Sequence, residues 1–217
     1  MKLGIIGATG GTGVEIVKYA LSEGYTLNVL ARTPSKLAVA GIDKNDANLN
    51  VIQGDTFSVP DLRKVFHGCD AVLSALGSGG FFKQTKKTTF YSASATCIVE
   101  AMREEGVKRL IAITSSGVEE DKGAPLFYRL IIRRLLMPTY NDMNLMEAII
   151  EKEMENGLEW TIVRPSFLIN GKSKTYRAND RANPAKGWII HRVDTAKFMV
   201  DELKERKWIS KHPALAY

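Results

Sequence analysis

Residues 7–13 read Gly-Ala-Thr-Gly-Gly-Thr-Gly. They lie between an apolar run, Lys2–Ile6, and a segment, Gly11–Ser22, whose Val14, Ile16, Val17, Ala20 and Leu21 share a helical face. Few architectures place glycine at every third position between a strand and a helix. Glycine permits a turn too tight for side chains and lets backbone N–H groups approach a ligand closely. The helix that follows presents the positive end of its dipole to an anion. The spacing is G-x-x-G-x-x-G rather than G-x-G-x-x-G, and a plain tight turn would account for the glycines alone. It is the strand–turn–helix setting that makes them a phosphate-binding turn.

The same alternation continues along the chain. Apolar, β-rich runs at Thr26–Ala31, Leu49–Gln53, Ala71–Ser74, Arg109–Thr114 and Glu159–Arg164 alternate with segments of helical period. Those segments lie at Pro34–Leu37, Val59–His67, Thr88–Glu105, Asn141–Glu155 and Val193–Glu205. Repeated strand–helix units of this kind predict an α/β fold: a single doubly wound parallel sheet of about six strands with helices on both faces. Several strands are nearly continuous in apolar residues, as expected where helices cover both faces. One stretch, Gly117–Pro138, is too long for an ordinary connection and follows a strand end, where a doubly wound sheet presents its ligand.

With 217 residues and 45% apolar composition, one domain with a sizeable core is expected. No run approaches the roughly 18 apolar residues of a membrane span. The glycines begin too early for a signal-peptide core, so the expected setting is the cytoplasm. Cys69 and Cys97 fit no metal-ligand spacing, and His67, His191 and His212 are scattered, so no metal is expected. The formal charge of +6 suits anionic ligands. Because Lys and Arg are dispersed, it does not suggest nucleic acid.

In its motifs the chain resembles the atypical short-chain dehydrogenase/reductase proteins, and among them the NmrA-like and biliverdin-reductase-B (flavin reductase) proteins. The resemblance runs over nearly the whole length. It rests on Gly7–Gly13, Val29-Leu30-Ala31-Arg32, Gly54-Asp55, Asp70-Ala71-Val72, Ser74–Gly77, Thr114-Ser115, Trp160–Pro165 and Asp194–Val200. It implies a nicotinamide dinucleotide held by Gly7, Thr9, Gly10, Gly11, Thr12 and Gly13, with Asp55 toward the adenine and Ala75, Leu76 and Gly77 along the cofactor's middle. It also implies contacts from Thr114, Ser115, Arg164 and Pro165, with Ser115 at the active position. Ser115 and its neighbours could instead satisfy backbone groups at the strand end, and Asp55 could be a turn cap.

The residues themselves speak to which dinucleotide binds. NAD-preferring folds carry an acid at the end of the second strand. Here that strand ends Leu30-Ala31-Arg32-Thr33, followed by Ser35 and Lys36. Arg32 can pair with a 2′-phosphate, so NADP(H) is expected over NAD(H), although a solvated basic turn would read the same way.

No tyrosine in the chain has a lysine four residues on; Tyr140 is followed by Asn144. An amide cannot supply the positive charge that tunes a phenol for proton transfer. This argues against alcohol–ketone dehydrogenation and sugar-nucleotide epimerisation, and the stretch after Arg164 is short for a substrate domain. Hydride transfer to flavin, quinone or a similar conjugated acceptor remains open, since such an acceptor can take its proton from water. A non-catalytic NADP(H)-sensing protein is the alternative. Histidines expected from the biliverdin-reductase-B pattern are replaced by Met143, Glu147 and Phe167. Within Gly117–Pro138, residues 126–137 are apolar on one side and basic on the other. They suit quiet packing, a lid or dimer contact that Phe81-Phe82-Lys83 would meet, or a membrane surface.

Overall fold

The computed structural model describes residues 1–43, 45–77, 79, 84–120 and 127–217. The Phe81-Phe82-Lys83 loop and residues 121–126 lie outside them.

Six parallel strands form the body of the sheet: β1 (Lys2–Ile6), β2 (Thr26–Ala31), β3 (Leu49–Gln53), β4 (Ala71–Ser74), β5 (Arg109–Ile113) and β6 (Glu159–Pro165). The order of the eight-stranded sheet is β3-β2-β1-β4-β5-β6-β10-β8, where β8 is Arg177–Asp180 and β10 is Pro213–Ala216. β10 runs parallel to β6 and β8 runs antiparallel to β10, so the sheet is mostly parallel and extends two strands beyond the six expected. These two strands are four residues each, one polar and one opening with Pro, and carry no period-2 signal. A separate parallel pair joins β7 (Phe167–Ile169) to β9 (Ile189–His191).

Helices α1 (Gly11–Ser22), α2 (Ser35–Val39), α3 (Val59–Phe66), α4 (Phe90–Glu104), α5 (Arg133–Lys152) and α6 (Arg192–Glu205) cover the sheet. One core lies under α1 and α6, with Ile16, Val17, Ala196 and Met199 against Leu3, Ile5 and Val29. The other lies under α3, α4 and α5, with Phe66, Ile98 and Met146 against Ile6, Val72 and Leu110. The fold is therefore doubly wound. No helix among the described residues is long and apolar enough to cross a membrane.

The principal difference from the sequence pattern is α5, which begins at Arg133 rather than Asn141 and contains Pro138. A π-helical turn, Tyr128–Ile132, leads into it. Proline removes one helical hydrogen bond, but here the helix is held by packing. Leu136, Thr139 and Tyr140 are buried, and the Thr139 hydroxyl donates to the Gln84 carbonyl at 2.6 Å. Within the described part of the long connection, Ile132 and Met137 pack on the core, while Phe127, Leu130, Ile131 and Leu135 face outward. Cys69 is buried and Cys97 partly buried, both as free thiols.

Candidate functional site: the glycine turn and the ends of β4 and β5

β1 pairs with β2 on one side and β4 on the other, so the chain reverses its winding direction between β1 and β4. In such sheets the crevice at the reversal is where ligands bind. Gly7 sits there with φ +79, and a Cβ on it would lie 2.4 Å from the Ala75 carbonyl oxygen. A Cβ on Gly13 would lie 2.0 Å from the Gly7 carbonyl oxygen. The turn is closed by Gly10 N–H to the Gly7 carbonyl at 2.9 Å, and the Ala75 N–H donates to the Ile6 carbonyl at 2.9 Å. Gly7, Gly13 and Ala75 thus form one backbone assembly. α1 starts from it with no side-chain cap and no acid in its first turn, leaving its first N–H groups to a ligand. Thr9 is partly exposed and Gly10 and Gly11 open to solvent, while Thr12 is buried. Leu76 packs on the core, and among the described residues nothing lies within 4 Å of where a Gly77 Cβ would be.

Arg32 follows β2 directly and is exposed; among the described residues no carboxylate pairs with it. Asp55 makes a turn of its own: its Oδ1 accepts from the Phe57 N–H at 3.0 Å. The turn-cap alternative therefore describes one of its oxygens.

At the end of β5, Ser115 accepts from the Gly117 N–H at 3.2 Å, so part of its role is the structural one. Tyr140, carried by α5, comes down beside it, the end of its ring lying over Gly117. Gly117 makes this approach possible, since a Cβ there would lie 2.3 Å from the Tyr140 Cζ. The Tyr140 hydroxyl is 3.0 Å from that of Tyr128, whose ring meets Trp188 edge-on. Burial holds the Tyr140 phenol well above its ordinary pKa, so it stays protonated. Tyr140 has no lysine four residues on, and Gly117 is the sequence signal for its approach to the end of β5.

Two expected cofactor residues are engaged elsewhere. The Thr114 hydroxyl donates to Glu147 Oε1 at 2.6 Å. Arg164 forks onto Glu147, Nε to Oε1 at 3.1 Å and Nη2 to Oε2 at 2.5 Å, and its Nη1 reaches Glu119 at 2.6 Å. Pro165 is buried beside Leu215 in the sheet. Glu147 also gathers with Glu151 and buried His212 within 4.8 Å, the one such group among the described residues. His212 Nε2 comes 2.8 Å from Glu151 Oε1 without hydrogen-bonding geometry. With the Arg164 guanidinium already bidentate on Glu147, a metal ion would face a fixed positive charge, and the cluster reads as a buried ion network. Phe167 stands 71% exposed beyond it, paired in register with exposed Ile189.

A family model described as NAD(P)H-binding matches residues 7–206, from the glycine turn to the end of α6. The chain belongs to that family. Among its curated relatives, the reductase pytE of Aspergillus terreus is 22% identical over 256 aligned positions covering 99% of this chain and 97% of its own. The uncharacterized sugar epimerase YhfK of Bacillus subtilis is 25% identical, covering 95% of this chain and 89% of its own. A wide-type short-chain dehydrogenase/reductase of Veillonella parvula, solved in complex with NADP, superposes with a TM-score of 0.76 at 16% identity, over 100% of this chain and 94% of that one. The fold is the Rossmann fold expected of an atypical short-chain dehydrogenase/reductase.

Proposed function

We propose that this NAD(P)H-binding protein is an NADPH-dependent reductase that passes hydride to a flavin, quinone or similar conjugated acceptor. The observation that carries this reading is the buried, neutral Tyr140 phenol lying over Gly117 beside Ser115 at the end of β5, with Asn144 where a lysine would tune it. A phenol held protonated by burial can still donate a hydrogen bond but gives up its proton poorly. Such a site suits an acceptor that spreads incoming charge over a ring and takes its proton from water. Reduced nicotinamide, when bound, supplies the hydride. Ser115 and Tyr140 orient the reacting faces, and the exposed Phe167–Ile189 surface offers an apolar platform for a planar acceptor. Epimerisation, as in YhfK's name, is less well served, because its proton and hydride steps call for the tuned phenol.

The test is NADPH oxidation at 340 nm with and without FMN, FAD or a simple quinone. Acceptor-dependent turnover is expected, and Ser115→Ala should lower it by about 10- to 100-fold, the scale of a lost orienting hydrogen bond. Tight NADPH binding with no turnover would instead identify a cofactor sensor.

Selection of NADPH over NADH falls to Arg32, exposed and without a carboxylate partner among the described residues. Arg32→Ala should weaken NADPH binding roughly 10- to 100-fold and leave NADH nearly unchanged, as titration calorimetry would read. Equal losses for both cofactors would sink this assignment.

A further inference from the structure

The turn at the start of α1 has a neighbour from the far end of the sequence. A methyl group on Gly11 would lie 2.8 Å from both Cδ and Nε of Arg192, the first residue of α6. The Arg192 side chain therefore lies directly across the glycine turn. Its Nη1 donates to Asn170 Oδ1 at 2.9 Å, and among the described residues no carboxylate pairs with it.

The placement is built, not incidental. Ile169 of β7 pairs with His191 of β9, so Asn170 and Arg192 leave the small sheet side by side. The loop after Asn170 is pinned to the first turn of α6 through buried Asp194. That carboxylate accepts from the Ser173 hydroxyl at 2.6 Å, from the Lys174 N–H at 3.2 Å and from the Tyr217 hydroxyl. His191 Nδ1 lies 2.7 Å from the Lys172 carbonyl oxygen, and Gly171 leaves room for the His191 ring, 2.3 Å from where its Cβ would be.

Electrostatically the arrangement is incomplete. The N-terminus of a helix carries about half a positive charge. α1 has no acid in its first turn to offset it, and a guanidinium is held on top. Two positive ends brought together by a dedicated loop repel until an anion lies between them. A pyrophosphate on the glycine turn would accept from the α1 N–H groups on one side and from Arg192 on the other.

We infer that Arg192, aimed by Asn170, binds the cofactor's pyrophosphate from the side opposite the glycine turn. The inference rests on the dinucleotide reading of the turn, and it gives Arg192 a role distinct from that of Arg32: affinity for both dinucleotides rather than choice between them.

Calorimetric titration of purified chain with NADP⁺ and with NAD⁺ tests it. Arg192→Met keeps the stem that covers Gly11 and removes only the charge. It should weaken both dinucleotides about 10- to 100-fold and leave the NADP⁺/NAD⁺ ratio unchanged, at an unaltered melting temperature. Asn170→Ala should give a smaller loss of the same pattern, and Arg192→Lys should recover part of the affinity. Unchanged binding of both dinucleotides by Arg192→Met would overturn the inference and leave Arg192 a packing residue. A loss confined to NADP⁺ would overturn it too, moving Arg192 to the 2′-phosphate. If the unaltered chain bound neither dinucleotide, the reading of the turn itself would fall, and this inference with it.

Discussion

Replacing Arg164 with methionine is expected to remove about 3–5 kcal/mol of folding stability, the usual cost of breaking a buried ion pair from one side. The guanidinium and its partner Glu147 are 3% and 4% exposed, and Arg164 supplies both hydrogen bonds of the fork. Without it the carboxylate would remain buried with only the Thr114 hydroxyl to share its charge, facing Glu151 and a His212 that burial holds below its ordinary pKa. Urea unfolding followed by circular dichroism reads the loss directly. A companion variant in which Glu147→Met is added should recover most of it, because an apolar pair of similar volume leaves no charge unpaired. A loss below about 1 kcal/mol for Arg164→Met alone would show that water reaches Glu147. The double variant also separates stability from ligand binding. If Arg164 serves the fold alone, NADPH affinity should stay within about threefold of the unaltered chain; a tenfold loss would return Arg164 to the cofactor contacts that the family resemblance implies.

Gly13→Ala is expected to have the second large effect. Its methyl would meet the Gly7 carbonyl oxygen at 2.0 Å, the Gly7 carbonyl carbon at 2.7 Å and Ala8 Cα at 2.9 Å, all backbone. No rotamer change relieves such a contact, so either the turn opens or α1 moves off β1. Dinucleotide binding should fall more than 100-fold, with on the order of 2–4 kcal/mol of stability lost to overpacking. Gly10→Ala makes the contrast, since its Cβ would lie 3.3 Å from the same oxygen and needs only a slight shift. That variant should fold normally. Comparable binding by the two variants would mean that the close approach of Gly13 to Gly7 is not what shapes the turn.

The glycine turn, the six central strands and the helices on both faces were legible because each is a local pattern: a spacing, a period or an apolar run. What escaped is non-local. Arg192 reaches Gly11 only through the pairing of β7 with β9, and neither strand has more than three residues to announce it. The residue four positions on says nothing of Tyr140's surroundings, which are Gly117 and the hydroxyl of Tyr128 from the long connection after β5. Arg164 was assigned by motif. Glu147, the carboxylate that claims it, was noted only as a departure from a family's histidine pattern. The early start of α5 was hidden by Pro138, whose cost is offset by the burial of Leu136 and Tyr140 around it. The exposure of Arg32 was legible too, because a guanidinium just past a strand end depends on little beyond its own position.

The position of β10 has a consequence for how the molecule is made. Residues 213–216 insert between β6 and β8, and the hydroxyl of Tyr217 reaches back to Asp194 and to the backbone N–H of His191. A ribosome delivers β8 about thirty residues before β10, the strand it pairs with. Until then β6 has a bare edge, β8 has no ladder, and Asp194 lacks the Tyr217 hydroxyl that joins its bonds from Ser173 and Lys174. The six strands of the body all precede β10, whereas the edge strand β8 and the last bond to Asp194 wait for it. A chain cut before Pro213 should therefore present an unsealed sheet edge.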